Sequence, residues 1–168
     1  MQLGIDIGSA EIISRAFIQA PALVMDELET AMGSALLYLQ REAQERTPTA
    51  AGTLRQAWIT DVRTVAGLEA VFGTLANPLP YAVPVEVGSA PHHPPIEPLI
   101  NWVEQKLGLY GDEAEAAARG IQRKIGRVGT PGYGMAHLAL AHGKPTIQGE
   151  FEEAAQRIAA RLAAAGQA

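Results

Sequence analysis

The chain has no cysteine, which excludes disulfides and thiolate metal sites and leaves no signal of a redox compartment. Basic residues are few: 13 Lys and Arg against 18 Asp and Glu, a net charge of −5. A general nucleic-acid binder needs clustered Lys and Arg to neutralise phosphates, and this balance argues against one, although a local basic patch survives the objection. No stretch approaches about eighteen uninterrupted apolar residues, so no transmembrane helix is expected. The opening Met1-Gln2-Leu3-Gly4-Ile5-Asp6 lacks the basic region and apolar run of a secretory signal, and the expected place of synthesis and residence is the cytoplasm. No internal repeat is visible.

What remains is 168 residues, 48% apolar and 18% charged, enough for one domain with a proper core and too little for two ordinary ones. The expected single domain, 1–168, begins with an arm or short strand at 1–20. From Pro21 to Arg46, Val24, Leu28, Met32, Leu36, Leu39 and Ala43 recur at three- and four-residue steps, which predicts a long amphipathic helix. Pro21 suits its first turn. Asp26, Glu27 and Glu29 near its start and Arg41 and Arg46 near its end suit the helix dipole. Pro48 disfavours helical geometry at Thr47 and ends it.

Residues 57–88 read as a β-meander. Ala57–Val65 and Glu69–Leu75 favour strand, with a turn at Gly67. Tyr81 to Gly88 alternates in character, the signature of a strand with one buried face. Pro84 would place that strand at a sheet edge or on a bulge. Ser89 to Pro98 is a Pro- and His-rich loop. Residues 97–165 carry helices over Pro98–Leu107, Asp112–Ile125 and Glu150–Ala165, with a turn or two at Met135–His142. A flexible loop is expected at 126–134. The fold class is therefore α+β: a long N-terminal helix packed on a small antiparallel sheet, followed by short C-terminal helices.

Few constellations carry chemistry. His92 and His93 with Glu86 and Glu97 nearby form the one candidate metal cluster. Adjacent histidines in an extended loop point to opposite sides, and no HExxH spacing is present. Polar loop histidines are the plainer reading, and no metal or other cofactor is expected. No Gly-x-Ser-x-Gly elbow occurs. The Gly126–Gly134 stretch lacks the Gly-Lys-Ser/Thr end of a phosphate loop. No catalytic residue is therefore assigned, and the chain is expected not to be an enzyme. Arg119, Arg123, Lys124 and Arg127 form the densest basic cluster, a candidate contact patch whose plainer role is the solvated, basic end of a helix. Trp58 and Trp102 are expected as core anchors; exposed, either would suit a protein interface.

Two motifs in order carry a family resemblance. The first is Arg46-Thr47-Pro48-Thr49-Ala50-Ala51-Gly52-Thr53-Leu54-Arg55, at the end of the long helix. The second is Asn77-Pro78-Leu79-Pro80-Tyr81-Ala82-Val83-Pro84-Val85-Glu86-Val87-Gly88. The Trp102-Val103 helix, the Ile121–Ile125 helix and the Gly-Pro loop before Met135 follow in the same sequence. Over residues 25–145 the chain resembles the tail-completion, or head–tail joining, proteins of long-tailed bacteriophages, which are related to minor tail protein Z. Thr47, Pro48, Gly52, Leu54 and Arg55 match the first motif of that family, and Tyr81, Ala82, Glu86 and Gly88 the second. Ala57 stands near a position where members often have serine.

The resemblance implies a structural protein of the virion neck, made in the host cytoplasm. It would form a ring, usually six-fold, at the head-proximal end of the tail. The partners it implies are further copies of the chain, a tail terminator or tail tube protein, and a head-completion or connector protein. Genomic DNA would pass without sequence-specific binding, and no membrane is involved. A tail terminator capping the tube is the nearest alternative. A metal-dependent hydrolase built on His92, His93 and Glu86, and a DNA-binding module built on Arg119, Arg123, Lys124 and Arg127, are the alternatives from other classes.

Overall fold

The computed structural model describes residues 7–48, 52–65 and 70–165. The first six residues of the expected arm, Thr49–Ala51 of the first motif, and the turn and strand residues Gly67 and Glu69 lie outside these. The elements run α1 (Ile7–Arg46), α2 (Thr53–Gln56), β1 (Ile59–Val65), β2 (Ala70–Ala76), α3 (Ala82–Val87), β3 (Gly88–Ser89), α4 (Ile96–Leu107), α5 (Asp112–Val128), β4 (Thr130–Pro131) and α6 (Met135–Ala165). The long helix, small antiparallel sheets and following helices make the α+β architecture expected from the sequence. The chain divides into two compact units. One comprises Met1–Glu42, Ile59–Ala76 and Leu140–Ala168, and the other Ala43–Trp58 and Asn77–Ala139.

In the first unit, α1 buries Ala31, Ala35 and Leu36 and half-buries Val24, Leu28, Met32 and Leu39. The apolar stripe is thus turned inward. The helix begins earlier than the sequence suggested, since 7–20 continue it and Pro21 lies inside. Proline there costs the one bond its missing N–H would have given to the carbonyl four residues back, and the helix continues through that loss. β1 and β2 form an antiparallel hairpin with Val62 opposite Gly73 and Arg63 opposite Phe72. Side chains alternate across a strand, so Thr60, Val62, Thr64, Val71, Gly73 and Leu75 share a face. That face meets α1: a Cβ on Gly73 would lie 2.3 Å from Met32 Sδ, and Thr64 Oγ1 donates to Glu29 Oε1.

In α6, Gly143 lies against Tyr38 and Leu39 of α1, while Arg157 and Arg161 reach Glu27. Rising numbers on α6 meet falling numbers on α1, so the two helices are antiparallel here. Two helical pieces at 135–142 and 150–165 were expected, and one helix is found with Pro145 inside it. The Gly143-Lys144-Pro145 sequence reads as a break. A buried Gly143 under the Tyr38 ring shows why it is not one: tertiary packing outweighs the single lost bond.

In the second unit, α4 and α5 pair around Val103, Ala114 and Ala118, all fully buried, with Ile96, Leu99, Ile100 and Ile121 packed beside them. Both helices extend beyond the expected ends, to Ile96 and to Val128. The expected third strand is the main correction, because residues 82–87 form helix α3. Pro84 falls in its first turn, where backbone N–H groups have no intrahelical partner, so its missing donor costs nothing. The carbonyls left free at the end of so short a helix are taken by another segment. Tyr133 N–H donates to Val85 O and Gly134 N–H to Glu86 O, both at 2.9 Å. The 126–134 stretch, expected as a flexible loop, is the end of α5 followed by β4. β4 pairs with β3, Gly88 opposite Pro131 and Ser89 opposite Thr130.

Candidate functional site

The first motif is a turn held from inside. Thr47, which follows the last residue of α1, donates its hydroxyl to Ala43 O at 2.6 Å and accepts Trp58 Nε1–H at 2.8 Å. Trp58 is 5% exposed and is the core anchor expected of it. Gly52 sits at φ 80°, ψ −12° before α2, the left-handed region that glycine enters at little cost. Leu54 is buried, while Arg55 is exposed and Pro48 half-buried. Asn77 then ties the two motifs: its Nδ2 donates to Leu54 O at 2.9 Å, and its Oδ1 accepts Leu79 N–H at 3.3 Å.

The second motif ties α3 to the start of α6. Ala82 is buried and Tyr81 is exposed. The Glu86 carboxylate accepts Ala136 N–H on one oxygen and His137 N–H on the other, each at 3.0 Å. Those are N–H groups of the first turn of α6, which have no intrahelical acceptor, and a negative charge there also complements the helix dipole. Beside this cap, Gly88 has φ 84°, ψ −178° and Gly129 has φ 72°, ψ −159°, a region open essentially to glycine alone. A Cβ on Gly88 would stand 2.4 Å from Thr130 O, and one on Gly129 2.0 Å from Ser89 O. Ser89 Oγ and Thr130 Oγ1 are hydrogen-bonded at 2.6 Å. Glu86 and Gly88 are therefore joints of the fold.

The histidines do not join Glu86. The Nδ1–H of His92 donates to Ala90 O at 3.0 Å, and the His93 ring lies on α5, where a Cβ on Gly126 would approach it to 2.6 Å. With the Glu86 carboxylate committed to α6, the three residues proposed for a hydrolase are held by three different partners. Among the described residues no group of three or more His, Cys, Asp or Glu side chains could hold a metal ion.

The basic run splits. Arg119 pairs with Glu115 one turn back, at 2.5 Å. Arg123 Nε donates to Arg119 O at 3.3 Å. Arg123, Lys124 and Arg127 line an open groove with His93. Trp102 is 43% exposed and so is not the core anchor expected; its neighbour Val103 fills that place.

Two features escaped the sequence. Glu27, inside the α1 stripe and 8% exposed, accepts from Arg157 Nε at 2.8 Å and Arg161 Nη1 at 2.9 Å. The hydrogen bond from Arg157, then that from Arg161, hold its carboxyl below the usual carboxylate value. The other feature is the hairpin face opposite α1. It carries Ile59, Asp61, Arg63, Val65, Phe72 and Thr74, with Ile59 54% and Phe72 53% exposed. Among the described residues this sheet has only β1 and β2, so both strands present an unpaired edge.

Comparison of the chain with protein families, curated proteins and solved structures finds no match in any of the three. Among the described residues no helix is long and apolar enough to cross a membrane.

Proposed function

We propose that this chain is a structural protein of the phage neck, a tail-completion protein that forms a ring at the head-proximal end of the tail and joins tail to head. The observation that carries the reading is the shared framework of the two motifs. Thr47, Leu54, Ala82, Glu86 and Gly88 fall in one compact unit, where Asn77 bonds one motif to the other and Glu86 caps α6. Of the residues that a family of assembly subunits would hold in common, Thr47, Leu54, Ala82, Glu86 and Gly88 are here internal ties, while Arg55 and Tyr81 are exposed. The proposed role is a structural one, without catalysis.

The uncovered hairpin face supports an assembling subunit. Exposed Ile59, Val65 and Phe72, beside two strand edges that are unpaired among the described residues, suit a neighbour added edge to edge or laid on the face. Around a rotation axis such contacts are heterologous, so each copy uses two different surfaces. Six copies, the usual ring of the resembled family, is the number proposed. The tail terminator or tube protein lies on one side of the ring and the head-completion protein on the other. A tail terminator role is the second reading, since it too needs a ring on the tube.

Immunogold labelling of intact virions with antibody against this chain tests the placement. Label confined to the head–tail junction is the expected result. Label along the tail, on the head or absent from the particle would reject it.

A further inference from the structure

We propose that the groove between α5 and the His92–Pro95 loop binds the phosphodiester backbone of nucleic acid without reading its sequence. The proposal stands on the groove alone and survives failure of the neck assignment.

The groove, about 750 Å³ and open to solvent, is lined by His93, Arg123, Lys124 and Arg127 among others. Arg123 and Arg127 are one helical turn apart on the same side of α5, a rise of about 6 Å, with Lys124 adjacent. Among the described residues none of the three pairs with a carboxylate, in contrast to Arg119, which Glu115 neutralises. Cations at a helix end are ordinarily explained by the dipole. That explanation accounts for their sign and not for a wall opposite them.

The wall is fixed. Gln122 Nε2 donates to Pro94 O at 2.8 Å, which pins the loop to α5. The absence of a side chain at Gly126 lets the His93 ring rest directly on the helix. The imidazole is thereby held beside three positive charges in a chain whose net charge is −5. Guanidinium forks match phosphate oxygens in pairs of hydrogen bonds, and an imidazole N–H adds a further donor. An open trough suits a polymer better than a small anion. Successive phosphates of one strand lie about 3.4 Å apart along a duplex axis, so cations spread over about 6 Å meet two or three of them.

Neutralising about three phosphates predicts that the logarithm of the binding constant falls with the logarithm of salt concentration with a slope of about −2.7. The test is fluorescence anisotropy of a short labelled duplex titrated with the full chain, from low to physiological salt. Repeats use Arg123→Ala/Arg127→Ala and, as a control, Lys144→Ala. The expected result is weak binding at low salt with that slope, reduced to about −0.9 in the double variant and unchanged in the control. Far-ultraviolet circular dichroism confirms that each variant is folded. Should the double variant fail to fold, Lys124→Ala is used instead, with an expected slope of about −1.8. Absence of binding at low salt would overturn the proposal, as would a slope indifferent to the groove substitutions. Equal competition by polyglutamate of matched charge would also overturn it, by assigning the groove to acidic polypeptides.

Discussion

Replacing Glu86 by alanine removes both carboxylate oxygens from the start of α6 and leaves the Ala136 and His137 N–H groups without the acceptors they have at 3.0 Å. Hydrogen bonds to a charged group contribute about 1.5–3 kcal/mol each when buried. Glu86 is only half-buried and water can replace part of what is lost, so the pair should be worth less than the full sum. Measured helix caps, at about 0.5–2 kcal/mol, and the dipole contribution, at about 0.3–1 kcal/mol, set the scale. A loss of about 2 kcal/mol is expected for Glu86→Ala. Glu86→Gln keeps one acceptor and turns an amide N–H₂ towards the second N–H, for a loss of about 1 kcal/mol. Urea unfolding followed by circular dichroism reads both values, and the melting temperature of the alanine variant should fall by about 4–8 °C. An alanine variant within about 0.5 kcal/mol of the parent, the range of an ordinary surface substitution, would refute the reasoning. Glu86 would then be free for a role at the surface, and the hydrolase alternative would reopen.

The β3–β4 joint should be less tolerant still. Gly129→Ala puts a Cβ 2.0 Å from Ser89 O in a backbone region reserved for glycine, and a cost of at least about 2 kcal/mol is expected from denaturant titration; a neutral result would mean that the two segments are not apposed. Glu27 gives a pH signature instead. Its carboxyl is held below the ordinary value of 4.5 by Arg157 and Arg161, so its contribution is full above that value and is lost as pH falls through the depressed one. Glu27→Gln should therefore be less stable than the parent at pH 7, and the deficit should shrink as pH is lowered past the usual carboxylate range of about 4. A deficit that stays constant from neutral to acid pH would contradict the assigned cause.

The legible parts were those governed by local pattern. The α1 stripe from Val24 to Ala43, the stop at Thr47-Pro48, the hairpin and the existence of α4 and α5 each follow from spacing or from one proline, whereas the packing of Val103 against Ala114 and Ala118 does not. The illegible parts depend on partners distant in sequence. Tyr81–Val87 alternates like a strand, yet its free carbonyls at Val85 and Glu86 are satisfied by Tyr133 and Gly134, some fifty residues on, and that supply makes a short helix affordable. Pro145 and Gly143 look like a helix break because the sequence does not reveal the Tyr38 ring that covers Gly143. Glu27 reads as a solvated charge on a helix until Arg157 and Arg161 are placed beside it. Of the candidate site, the motif residues were identified but their use was not. Glu86 as a cap and Gly88 as a point of backbone contact emerge only once the 85–90 and 129–137 segments are seen together. The groove was half visible: its cations were plain in the sequence, and its His93 wall was not.

The neck assignment is tested most directly by electron microscopy of particles made by a phage lacking this gene product, scored for tails joined to filled heads. The account predicts complete tails and DNA-filled heads that fail to join. Normal, infectious virions in its absence would contradict it.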